Sequence, residues 1–158
     1  MQRINKVLSI AVATGRIGYV FLIGDKLKDW GLSRKASKTP ALAAAQTEHW
    51  IAELEPDVVV TEKLPKTSTK SAKTRALIEA IQFVAAKAKL LDVHVPRIQL
   101  HKNKYSEAEA LGNRFPDLAL WVPKPRRIWE PEPRATVLFE ALALAVILLE
   151  KDTILKEK

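Results

Sequence analysis

Asp57-Val58-Val59-Val60-Thr61-Glu62 is a short β-branched run, opened by Pro56 and Asp57 and closed on a carboxylate. No polar residue interrupts Val58 to Val60. A strand reads this way when both of its faces are covered, as in a parallel sheet packed between helices. Glu62 then stands at the carboxyl end of a central strand, where open α/β sheets build their sites. A second acid, Glu140, interrupts an otherwise apolar run from Val137 to Leu149. A buried carboxylate without a partner is costly or becomes protonated, so Glu140 calls for a metal, an arginine such as Arg134, or a water-filled groove.

Upstream of this strand, Lys6 to Ala13 reads as a first strand, and Thr14-Gly15-Arg16 as the turn into a second over Ile17 to Ile23. Gly24-Asp25 is a hairpin signal leading to a third strand, Lys26 to Ser33. The basic loop Arg34 to Lys38 follows. Thr39 and Pro40 form a helix start, with Leu42, Ala45, Ile51 and Leu54 as the apolar face and Pro56 as the stop.

Downstream, Lys63 to Ser71 is a polar, cationic loop. Leu77, Ile81, Val84, Ala88 and Leu91 recur at helical spacing, which predicts an amphipathic helix over about 71–91. Val93 to Leu100 reads as a fifth strand, at an edge or bulged because of Pro96. Ser106 and Glu109 form a capping box that opens a short helix through about Phe115. Pro116 to Pro133 carries five prolines and is expected to be irregular. A last helix is expected over about 133–150, followed by a charged, frayed tail over 151–158. The order β-β-β-α-β-α-β-α-α predicts a single α/β domain over 1–150. Its mixed five-stranded sheet would be an antiparallel meander followed by parallel strands, with helices on both faces.

The 158 residues include no cysteine, which removes disulfides, thiolate metal sites and cysteine nucleophiles and fits a cytoplasmic protein. No secretory leader is expected at the start. The run from Val137 to Leu149 is too short to span a bilayer, so no membrane association is expected.

A formal charge of +8 favours a polyanionic partner. Lys63, Lys66, Lys70, Lys73 and Arg75 flank Glu62 in sequence, and Arg34, Lys35 and Lys38 precede the first helix. Such residues neutralise phosphates without reading bases, which implies salt-dependent, largely sequence-independent binding; the plain alternative is a solvated basic face. Trp121 and Trp129, with Lys124, Arg126 and Arg127 between them, have the chemistry to stack on unpaired bases. Aromatic residues among prolines more often anchor an irregular segment onto the core, and that is the expectation here.

Three segments carry a resemblance: Leu8 to Thr14 with Gly18-Tyr19, Pro56 to Glu62, and Phe139-Glu140-Ala141-Leu142-Ala143-Leu144-Ala145. With the element order, they make the chain resemble the RuvC-type Holliday-junction resolvase family of the ribonuclease H-like fold over residues 6–150. The resemblance implies catalytic and metal-binding roles for Glu62 and Glu140, with Mg²⁺ or Mn²⁺ as cofactor. The partner it implies is branched or single-stranded DNA, and it admits a homodimer. Two other acidic positions of the family's set fall on Ala11 and Val137, which offer no lone pair.

Glu130 and Glu132 are candidates to fold toward Glu62, with Glu132 the candidate third metal ligand. Asp25 is discounted because its turn belongs at the opposite end of the sheet, and a lone His101 is more often structural or exposed. Two functions follow: a metal-dependent, structure-specific endonuclease with a degenerate carboxylate site, or a non-catalytic nucleic-acid-binding or scaffold protein on the same fold. A third reading, an actin-like or sugar-kinase-like ATPase fragment, is disfavoured because Thr14-Gly15-Arg16 is no Gly-rich phosphate loop.

Overall fold

A computed structural model describes residues 5–65, 71–97, 101, 103–124, 129 and 133–157, with side chains as far as Glu150. Five strands, β1 (Lys6–Ala13), β2 (Arg16–Ile23), β3 (Lys26–Ser33), β4 (Val58–Lys63) and β5 (Leu91–Pro96), form one sheet in the order β3-β2-β1-β4-β5. The helices are α1 (Pro40–Leu54), α2 (Ala72–Lys87), α3 (Lys104–Arg114) and α4 (Thr136–Glu157). The mixed α/β sheet expected from the sequence is the observed one.

The valine run lies at the centre of this sheet. Val58, Val59 and Val60 are fully buried because β4 lies between β1 and β5, with helices on both sides. Side chains alternate across a strand, so the run divides between two cores. Val58 and Val60 pack with Val7, Ala11 and Val95 against α3 and α4, whereas Val59 joins Leu8 and Ile10 against α1 and α2. On the α4 side, the buried Ser9 Oγ donates to the Ala141 carbonyl oxygen at 2.6 Å, tying the helix to β1.

The chain's polarity decides where function can sit. β1 runs antiparallel to β2 and parallel to β4, and β4 parallel to β5. β3, antiparallel to β2, therefore ends at the same edge of the sheet as β1, β4 and β5. The segments that follow β3 and β4, and the starts of α1, α2 and α3, all open from that carboxyl edge. The Gly24-Asp25 turn is at the other edge, where the Gly24 amide donates to the Asn5 carbonyl oxygen at 2.8 Å. Asp57 closes that edge as well, its Oδ2 accepting from the amides of Asn5 and Lys6 at 3.1 and 2.9 Å.

Several local expectations are corrected. The buried face of α1 is Ala43, Thr47 and Trp50 rather than one through the exposed Ala45. The second helix stops at Lys87 rather than at about residue 91. Lys89 takes a left-handed φ of 62° and turns the chain, so β5 begins at Leu91 instead of Val93. β5 ends at Pro96 on an edge of the sheet, where a residue without an amide hydrogen is tolerated, and 98–100 lie outside the described residues. α3 begins earlier than the Ser106 capping box implies. Its cap is Asn103, whose Oδ1 accepts from the amides of Tyr105 and Ser106, both at 2.9 Å. Within the stretch expected to be irregular, Pro116–Trp121 form a 3₁₀ helix. α4 starts at Thr136 rather than at about residue 133, and its helical backbone runs to Glu157.

Candidate nucleic-acid face and acidic pocket

Glu62 is the fifth residue of β4 and shares the α4 side of the sheet with Val58 and Val60 by strand alternation. Ala11 lies on the same side of neighbouring β1, buried, and pairs with Gly18 of β2. Val137, in the first turn of α4, sits directly over that pair: a Cβ on Gly18 would come within 2.8 Å of Val137 Cγ1. Glu140 follows one helical turn later and is half-buried. The four positions singled out by sequence therefore gather on one face near the carboxyl edge, and two of them are apolar.

Two charged residues that sequence reasoning missed lie beside these acids. Arg97 follows the end of β5, two positions after Val95, which pairs with Glu62 of β4. Its guanidinium donates from both terminal nitrogens to Glu107 in α3, Nη1 to Oε2 at 3.0 Å and Nη2 to Oε1. The Glu107 side chain is only 7% exposed and that of Arg97 23%. Burial works against the charged guanidinium, but the Glu107 hydrogen bonds and the charges of Glu107, Glu140 and Glu62 outweigh it and hold the Arg97 pKa above its ordinary value. Glu107 carried a signal: it precedes the buried Leu111 by one helical turn and adjoins the buried Ala108, an acid on the apolar stripe of α3. Arg97 carried none, because nothing local marks the strand-end residue that turns inward.

Among the described residues, the donor set does not fit a two-metal centre. A hard divalent cation needs several oxygen ligands, and Ala11 and Val137 supply none. Glu107 is committed to Arg97. Among the described residues, no group of three or more His, Asp or Glu side chains is placed to hold a metal ion. Glu130 and Glu132 lie outside the described residues. His101 is exposed and instead borders a cleft of about 160 Å³ between α3 and α4, with Glu107, Arg114 and Glu150.

The six described basic candidates share the carboxyl edge with Glu62. Lys63 ends β4 and is exposed; Lys73 and Arg75 lie in the first turn of α2, where Arg75 Nη2 donates to the Pro65 carbonyl oxygen at 3.3 Å. Arg34, Lys35 and Lys38 are exposed around a 3₁₀ turn over Lys35–Ser37, directly after β3. Lys66, Lys70, Arg126 and Arg127 lie outside the described residues. Trp121 and Trp129, expected to anchor their segment onto the core, are 49% and 73% exposed, so neither ring is buried in it.

No protein-family profile and no curated protein sequence matches the chain. Solved structures do. The structure of Thermus thermophilus RuvC aligns with a TM-score of 0.63 at 15% identity, covering 90% of this chain and 95% of that one. Fowlpox virus resolvase in complex with Holliday junction DNA aligns at 0.60 and 14% identity, covering 92% and 97%. The yeast mitochondrial Holliday junction resolvase aligns at 0.57 and 11%, covering 96% and 82%. The chain thus has the RuvC-like, ribonuclease H-like fold. Among the described residues, no helix is long and apolar enough to cross a membrane.

Proposed function

We propose that this chain is a nucleic-acid-binding protein on the RuvC resolvase fold, gripping branched or single-stranded DNA at the carboxyl edge of its sheet without cutting it through a two-metal centre. The observation that carries this reading is the gathering of Arg34, Lys35, Lys38, Lys63, Lys73 and Arg75 at the edge that also holds Glu62. Resolvases with this fold have been solved on Holliday junction DNA, which makes a four-way junction the first ligand to try. Ala11 and Val137, buried where further acids would be needed, separate binding from cleavage.

A second reading, a Mg²⁺- or Mn²⁺-dependent endonuclease using Glu62 and Glu140, is favoured by those two acids sharing one face of the sheet. Fluorescence anisotropy and gel analysis of a labelled four-way junction, with duplex and single strand as comparisons, test both. Binding at low salt without product in either metal is expected. Absence of binding overturns the proposal, and metal-dependent product that disappears in Glu62→Gln establishes the second reading.

A further inference from the structure

We propose that Arg97 is the resident cation of this acidic face, its guanidinium supplying beside Glu62, Glu107 and Glu140 the positive charge that a divalent ion supplies in a metal centre. The pocket is therefore closed to metal, and β5, α3 and α4 are held together there without one.

The position follows from the strand register. Glu62 pairs with Val95, and Arg97 lies two residues further along the chain, on the same side of the sheet when the alternation of β5 is continued past Pro96. Glu107 meets it from the first turn of α3, and the two side chains make a fork-to-fork pair in a largely buried setting. A guanidinium cannot shed its proton in a protein, so the positive charge is permanent. A divalent ion entering the pocket meets that charge and lacks the oxygens it needs at Ala11 and Val137. Displacing Arg97 outward instead leaves Glu107 as a buried carboxylate without its counter-charge, which is unfavourable.

The inference stands on the pocket alone and holds or fails independently of DNA binding. The test titrates the full chain into Mn²⁺ and follows the free ion by electron paramagnetic resonance, with circular dichroism as the check on folding. Wild type and Ala11→Asp are expected to leave the free-ion signal unchanged. Ala11→Asp combined with Arg97→Gln and Glu107→Gln, which removes both charges and keeps the size of Glu107, is expected to take Mn²⁺ up and to melt higher in its presence.

Mn²⁺ uptake by wild type that is lost in Glu62→Gln overturns the proposal. So does a folded triple variant that leaves the ion free. Should the triple variant fail to fold, Ala11→Asp decides, because it supplies the missing oxygen while Arg97 stays in place: uptake overturns the proposal and an unchanged signal upholds it.

Discussion

Binding at the carboxyl edge makes a quantitative demand on salt. Six described basic residues, Arg34, Lys35, Lys38, Lys63, Lys73 and Arg75, border that edge. If each neutralises one phosphate, counterion release at ~0.9 per contact gives a log–log slope of about −5. Raising salt from ~50 to ~200 mM then weakens binding by about 10³-fold. The perturbation is Lys63→Gln with Lys73→Gln and Arg75→Gln, which removes the β4–α2 half of the set. The slope is expected to fall to about −3, because each lost phosphate contact subtracts roughly one. Anisotropy of a labelled junction across a salt series measures both slopes. A wild-type slope near zero, or a triple variant with the wild-type slope, refutes the placement of DNA on this edge. A change in affinity without a change in slope refutes it equally, since it would report altered shape rather than lost phosphate contacts.

Two further outcomes test the packing beneath the site. Gly18→Ala brings a Cβ within 2.8 Å of Val137 Cγ1, and overpacking of this kind is expected to cost about 1–3 kcal/mol in urea unfolding; Val137→Ala is expected to relieve it, a coupling read from the double-mutant cycle. Tyr19 titrates above its ordinary value, first because it is buried and then because its hydroxyl donates to Asp29 Oδ2 at 2.9 Å, with the charges of Asp29 and Glu53 adding to the effect. Its contribution to stability is therefore complete below about pH 10, where the unfolded phenol ionises, and is lost as pH rises from there toward the folded value. Denaturation midpoints across that alkaline range are expected to fall in wild type and to fall less in Tyr19→Phe; identical alkaline limbs would contradict it.

The strands and the sheet are legible in the sequence because their signals are local. Three valines without polar alternation, two glycine turns and the Thr39-Pro40 helix start each act within a few residues, and the structure agrees at each. The boundary between α2 and β5 is not legible, because Ala88 and Leu91 continue the apolar rhythm while the backbone at Lys89 breaks it. Nor is the exposure of Trp121 and Trp129, because composition does not say which way a ring faces.

Glu62 and Glu140 stand out in the sequence because a carboxylate at the end of, or inside, an apolar run is conspicuous. Sequence also determines that Ala11 and Val137 bring no ligand atoms, since side-chain chemistry does not depend on folding. Which charges meet is a tertiary decision. Arg97 and Glu107 are ten residues apart, after an edge strand and on the following helix, and their pairing depends on the register of β5 beside β4 and on α3 packing against α4. Long-range electrostatics of this kind leaves no periodic trace in the chain, because it is set by the distance between elements and by the exclusion of water between them.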